Sequence, residues 1–269
     1  MIKKLRLDHL LIDRKLAPNR SRARALIMAG KVYLDGRPVI KAGASVPSDS
    51  SVEIIRGGAK YVSRGGDKLE GALEHWILDV RNMVALDVGA STGGFTDCLL
   101  QRGAKQVFAV DVGYGQLDWK LRRDKRVINL ERTNARYMKQ EDIGIPMDFA
   151  VIDVSFISLE HILPPVITIT KKGGTIIALI KPQFEVGKGE VGKGGVVKDP
   201  SRHQETILKI CRCSTMLDSG IQGLTRSPLK GPKGNAEFFI YLKKGLPSID
   251  EEIIARLASE LAYGNQNSL

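Results

Sequence analysis

The run Val84-Ala85-Leu86-Asp87-Val88-Gly89-Ala90-Ser91-Thr92-Gly93-Gly94-Phe95 decides how this chain is read. Apolar residues of strand length lead into a carboxylate, a glycine-rich turn and then the helical pattern GGFTDCLLQRG. Glycines at such a turn let backbone approach a ligand closely and leave helix N-terminal N–H groups free for a carboxylate or phosphate. The dinucleotide fingerprint G-x-G-x-x-G is absent, because Gly89, Gly93 and Gly94 stand at other intervals. Asp87 at the loop's entry would repel a pyrophosphate and attract an amino group. A ligand carrying an ammonium, a carboxylate and a sulfonium fits better, and that describes S-adenosylmethionine.

Outward from this stretch, helix and strand patterns alternate: DKLEGALEHW before it, then QVFAVDVG, RVINL, DFAVIDV, SLEHILPPVITIT, GTIIALIK, a Gly/Lys-rich insertion, a helix near 201–218 and AEFFIYL. Short apolar strands alternating with helices predict a doubly wound, mostly parallel, Rossmann-like α/β sheet covered on both faces. The last strand follows the hairpin-like PLKGPKGN and is expected to enter antiparallel at or near the sheet edge. Residues 249–263 read as a terminal amphipathic helix. Ligands of such sheets sit at the carboxyl ends of the strands. There Asp111, 24 residues after Asp87, can accept hydrogen bonds from both ribose hydroxyls, and Asn134 can meet an adenine edge. Dinucleotide proteins use the same acid, so Asp111 alone does not choose between ligands.

Two further strands end in Ile152-Asp153 and Ile180-Lys181, Lys68 opens the first helix of this domain, and Glu237 precedes Phe238–Leu242. If the sheet forms, two amines and two acids meet at one mouth. A lysine beside a second cation and partly out of water gives up its proton more readily, so it can act as a general base toward an alcohol. In methyl transfer the sulfonium needs little activation and the sugar hydroxyl needs a base, so no thiol nucleophile is required.

Charge marks a second module. Residues 1–66 hold 14 basic and 5 acidic residues, net +9 of the chain's +11. That asymmetry points to a polyanion, with nucleic acid first. Leucines at helical spacing are broken by Pro18, a second helix capped by Asn19 or Ser21 runs through Ala29, and Gly30 ends it. KVYLDGRPVI reads as a hairpin turning at Asp35-Gly36, and Ser51–Ile55 as a strand. The expected domains are 1–60, a small α+β RNA-binding unit; 61–66, a linker; 67–248, the α/β domain; and 249–269, a helix and tail. Candidate RNA contacts are Lys3, Lys4, Arg6, Arg14, Arg20, Arg22, Arg24, Lys31 and the linker's Arg64. The insertion at 182–200 is a candidate loop closing over RNA.

Cys98, Cys211 and Cys213 are too few for a disulfide framework, and no His/Cys/acid spacing suits a metal. A reduced cytoplasm is the expected setting. No signal peptide is read at the start, where Asp8 and Asp13 interrupt the apolar stretch, and no membrane span is expected.

The motifs YVSRGGDKLEGAL, DVGASTGGFTDCLL, DVGYGQL, ERTNAR, DVSFISL, KPQFEVGKGEVGKGGVVKDP and PLKGPKGNAEFF resemble the TlyA family of rRNA 2′-O-methyltransferases, often labelled haemolysins. The resemblance spans nearly the whole chain. It implies an N-terminal fold of ribosomal protein S4 (alpha-L) type and an FtsJ-like domain whose Lys-Asp-Lys-Glu tetrad falls on Lys68, Asp153, Lys181 and Glu237, with Lys181 as central base. It further implies that Asp87, Gly89, Ser91, Thr92, Gly93, Gly94, Phe95, Asp111, Val112, Asn134 and Asp153 line the S-adenosylmethionine site. The implied substrate is cytidine ribose in 23S rRNA, within ribosomal subunits. Basic residues ahead of the first helix and a helix after Pro247 lean toward the longer members, which also modify 16S rRNA. Three rivals stand beside this reading: a membrane-lysing protein, for which no membrane-competent segment is visible; a non-catalytic RNA-binding module; and an oxidoreductase, which the glycine spacing disfavours.

Overall fold

The computed structural model describes every residue except 1–3, 29, 35, 36, 40, 55–59, 188, 193 and 265–269. Lys3, Ala29 and the Asp35-Gly36 turn therefore lie outside the described residues. Two compact units divide the chain, Met1–Ser63 and Arg64–Leu269.

The first unit runs β1 (Lys4–Arg6), α1 (Leu7–Asp13), α2 (Arg20–Met28), β2 (Val32–Leu34), β3 (Arg37–Pro38), β4 (Ser45–Pro47) and β5 (Val52–Ile54). Both helices and the β2–β3 hairpin match the sequence reading. The short strands β1 and β4, which pair antiparallel with Leu5 opposite Val46, do not. Three-residue strands carry too little periodicity to be read without their partner. Asn19 caps α2, its Oδ1 accepting the Arg22 N–H at 2.9 Å. Leu7, Leu10, Leu11, Ala23, Ile27 and Val46 form the apolar centre.

At the edge of this centre Asp8 is fully buried. Its Oδ1 accepts from Arg6 Nε and its Oδ2 from Arg20 Nε, each at 3.0 Å. The Arg6 guanidinium, more than that of Arg20, holds this carboxyl well below the usual carboxylate range, against the opposing push of burial. Arg14, though exposed, donates to the carbonyls of Ser48 and Ser50, both at 2.7 Å. Arg6, Arg14 and Arg20, expected as RNA contacts, thus also tie the unit together while staying exposed. Lys4, Arg22 and Arg24 are exposed. Asp8→Ala is expected to cost about 1–3 kcal/mol, discounted because both arginines stay half in water. Asp8's contribution is present above an unfolded carboxylate's pKa of about 4 and is lost as pH falls below it. Hydrogen exchange of α1 and α2, measured against pH in wild type and variant, reads both effects.

The second unit runs α3 (Arg64–His75), β6 (Val84–Val88), α4 (Gly94–Gln101), β7 (Gln106–Val110), α5 (Trp119–Arg122), β8 (Val127–Leu130), α6 (Gln140–Ile143), β9 (Met147–Ile152), α7 (Leu163–Ile169), β10 (Thr170–Ile180), α8 (Pro182–Glu185), α9 (Pro200–Thr215), β11 (Ser219–Arg226), β12 (Phe238–Lys244) and α10 (Glu251–Tyr263). The strands form one sheet in the order β11-β12-β10-β9-β6-β7-β8. Pairing is parallel from β10 through β8, while β12 is antiparallel to both its neighbours. Ile176 to Ile180 are all buried, which requires cover on both faces. Phe238 and Ile240 pack into the cluster that holds Ile207 of α9 and Ala258 of α10. Their neighbour Phe239 points to the opposite face, where Phe95 of α4 lies 6.3 Å away, ring centre to ring centre.

One expectation is corrected here. Helix α3 begins at Arg64, so Arg64-Gly65-Gly66 belongs to its first turn rather than to a linker. The first turn needs no intrahelical N–H partner and tolerates glycine more readily than a helix interior. As expected, β12 enters antiparallel near the sheet edge; β11, which covers it, is the edge strand. That strand escaped the sequence reading: Gly220 and Gly223 dilute its apolar pattern, and a bulge between Ile221 and Gly223 breaks the alternation.

Candidate active site

Because β6, β7 and β9 are parallel and in step, their carboxyl ends open on one cavity of about 490 Å³, within the range of small-molecule sites. Gly89, Ser91, Asp111, Val112, Asn134 and Asp153 wall it. Asp111 ties the loops: its Oδ2 accepts the Ser91 N–H at 2.8 Å and its Oδ1 the Gly113 N–H at 2.7 Å. Asn134 Oδ1 accepts the Arg136 N–H at 3.1 Å and caps the short turn over 135–137. Gly89 has φ +86°, and a Cβ there would lie 2.5 Å from the Asp153 carbonyl oxygen. Only glycine lets the end of β6 pass so close to the end of β9.

Thr92, Gly93, Gly94 and Phe95 are not among the residues that wall this cavity, and Phe95 is buried against Phe239. Gly93 takes φ +94° ahead of α4, and a Cβ there would overlap Leu121, so helix packing requires glycine at this position. Asp87 lies beneath the wall, fully buried. Its Oδ2 accepts from Thr96 Oγ1 at 2.6 Å, and its Oδ1 has no partner among the described residues. Burial pushes this carboxyl up to about 7, with the nearby charges of Asp153 and Asp111 adding to the shift.

The ends of β9 and β10 supply the second half of the site. Lys181 Nζ lies 2.6 Å from Asp153 Oδ1 and donates to Ser155 Oγ at 3.0 Å. The β10–β12 ladder ends with Ile180 opposite Phe238, and Lys181 and Glu237 are the next residues beyond that pair. Glu237 is buried, its Oε2 lying 2.6 Å from Lys68 Nζ of α3 and its Oε1 accepting from Gln183 Nε2 at 3.4 Å. A Cβ on Gly231 would overlap this carboxylate, so glycine there makes room for it. Lys181, Gln183, Glu237, Ser155, Phe156 and Lys233 wall a groove of about 380 Å³. Ser155 and Phe156 also wall the first cavity, so the two adjoin.

The structure therefore brings Asp153 and Lys181 together, and Lys68 and Glu237, as two lysine–carboxylate pairs on neighbouring elements. Ser155, Gln183, Gly231 and Lys233 carry no signal of their own in the sequence. Ser155 and Gln183 could have been found only by reading two residues past each strand end. Among the described residues no cluster of His, Cys, Asp or Glu could hold a metal, and no helix is long and apolar enough to cross a membrane.

A parallel sheet with one antiparallel inserted strand, a cavity at its carboxyl ends and a lysine-bearing groove beside it define the class, an α/β methyltransferase. A family model described as FtsJ-like methyltransferase matches residues 61–244, and an S4 domain model matches residues 5–49. The chain belongs to the TlyA family of FtsJ-like methyltransferases. It is 47% identical over 244 residues to the 16S/23S rRNA (cytidine-2′-O)-methyltransferase TlyA of Mycobacterium tuberculosis, covering 90% of this chain and 91% of that protein. Hemolysin A of Brachyspira hyodysenteriae is 38% identical over 88% of this chain and 99% of its own length. A solved structure from Streptococcus thermophilus, also named as a hemolysin, superposes with a TM-score of 0.75 at 40% identity, covering 97% of this chain and 96% of that one.

Proposed function

We propose that this enzyme moves a methyl group from S-adenosylmethionine to the ribose 2′-OH of cytidine in 23S rRNA, with 16S rRNA as a second substrate, acting in the cytoplasm on rRNA within ribosomal subunits. The observation that carries the reading is the pairing of Lys181 with Asp153 at the point where the groove meets the cavity.

The cavity fits S-adenosylmethionine through Asp87, whose buried and unpartnered Oδ1 is the kind of acceptor an ammonium group satisfies. Asp111 and Asn134 suit a ribose and an adenine edge. When bound, this cofactor supplies an electrophilic methyl group. The remaining work falls to the chain. The neutral amine of Lys181, aimed by Asp153 and Ser155, takes the proton from the ribose hydroxyl and becomes the ammonium that Asp153 stabilises. Glu237 is held by Lys68 behind it and holds Gln183 beside it, and Gln183 and Glu237 wall the groove and set the sugar's orientation. Buried pairs of this kind keep their geometry without reorganising during the reaction. The first unit, with Lys4, Arg22 and Arg24 exposed and Lys31 half-buried, supplies sequence-independent attraction to the RNA backbone.

Mass mapping of rRNA ribose methylation tests the reading. A strain lacking the protein should lose 2′-O-methylcytidine from 23S rRNA, and purified protein with S-adenosylmethionine should restore it on isolated subunits. Unchanged maps together with no transfer in vitro would refute the assignment.

A further inference from the structure

Lys233, which walls the groove, also walls a separate cavity of about 520 Å³. Lys198, Arg226 and Lys230 line this second space, and no carboxylate does so among the described residues. Its walls are braced rather than loose. Asn235 Oδ1 accepts the Val197 N–H at 3.1 Å and Asn235 Nδ2 donates to the Gly195 carbonyl at 3.0 Å, pinning the insertion to the loop before β12. Gly192 and Val196 bridge the insertion to itself. Lys233 is held at φ +61°, a conformation side chains rarely adopt, which persists only where the surroundings fix it.

His203, in the first turn of α9, lines the same cavity and is 3% exposed. Its Nε2 lies 2.9 Å from the Val197 carbonyl oxygen, while its buried Nδ1 has no partner among the described residues. With Nε2 donating, Nδ1 of the neutral ring is an acceptor that lacks a donor. Four cations call for an anion, and the ring nitrogen calls for a hydroxyl. A ribose-phosphate unit presents both. A free inorganic phosphate shares the anionic half of that chemistry, but Lys233 borders both the cavity and the groove, so an anion held here neighbours the sugar held there, as in a polynucleotide strand.

We propose that this cavity is a subsite for a backbone ribose-phosphate of the RNA strand, next to the nucleotide that occupies the groove. The inference rests on the methyl-transfer reading and deepens it.

The test uses the full chain with Lys198→Gln and Lys230→Gln combined. Both lysines are exposed, so the variant should fold, and an unchanged Kd for S-adenosylmethionine verifies that it has. The Kd for a 23S rRNA transcript is measured across a KCl series. The variant is expected to bind about tenfold more weakly, with the slope of log K on log salt shallower by about one. Equal affinity and equal slope overturn the subsite. Inorganic phosphate at constant ionic strength separates the two sources. Weak competition with the transcript in wild type, lost in the variant, supports a backbone site. Tight phosphate binding that leaves transcript affinity untouched assigns the cavity to a small anion and overturns it. A wild-type chain that shows the steeper slope yet methylates no rRNA refutes the methyl-transfer reading and leaves the subsite standing. Methylation without any slope difference does the reverse.

Discussion

Lys181→Ala lowers methyl transfer by roughly 10²–10⁴-fold, the range a positioned general base contributes, while Kd for S-adenosylmethionine changes little. The expectation follows from placement: Lys181 walls the groove, while the cavity is walled from β6, β7 and β9. Removing the amine also strips Asp153 of its partner at 2.6 Å, so a structural explanation has to be separated from a chemical one. Lys181→Arg does this. Arginine keeps a cation beside Asp153 but does not give up its proton in water, so it cannot accept one from a hydroxyl. Single-turnover assays should find it about as inactive as the alanine variant. Turnover near wild type in Lys181→Arg would exclude proton acceptance and leave only charge stabilisation for this residue.

Asp87→Asn is expected to make the ligand-free chain more stable and the cofactor complex weaker. Burial raises the Asp87 carboxyl to about 7, so the folded state binds its proton more tightly than the unfolded chain does. Its contribution favours folding below the unfolded value of about 4 and is lost as pH rises through about 7. At pH 8 the wild type therefore carries an uncompensated buried charge, and the substitution should recover on the order of 2–4 kcal/mol. Thermal melts of the ligand-free protein at pH 5 and pH 8 should diverge in wild type and converge in the variant. Calorimetry with S-adenosylmethionine should find the variant weaker by tenfold or more, since an amide offers an ammonium no full charge. A variant that loses neither the pH dependence nor the affinity would show that Oδ1 is satisfied in some other way.

The sheet was legible in the sequence because each parallel strand is a short apolar run ending in a residue of distinct chemistry: Asp87, Asp111, Asp153, Lys181. Those ends are also where the candidate site forms, so reading the strands located it. Illegible features depend on partners far along the chain. Strand β11 is recognised by its pairing with β12 and not by its own composition. Phe95 looks like a cavity residue beside the glycines, yet helix periodicity turns it toward Phe239. Arg6 and Arg20 read as free cations until the fold brings both to Asp8. Glycine was ambiguous in the same way: Gly89 and Gly93 share a loop and a positive φ, but one is set by Asp153 and the other by Leu121, and neither neighbour lies nearby in sequence.

Strand β12 completes the groove from the far end of the polypeptide. The walls of the cofactor cavity are all synthesised by residue 162 and Lys181 follows soon after, whereas Glu237, the acid that holds Lys68, comes 75 residues beyond the last of those walls. During translation the nascent polypeptide thus owns its donor pocket and the Lys181–Asp153 pair before the groove has its buried acid. A premature stop just ahead of Glu237 would leave Lys68 and Gln183 without the carboxylate that anchors both.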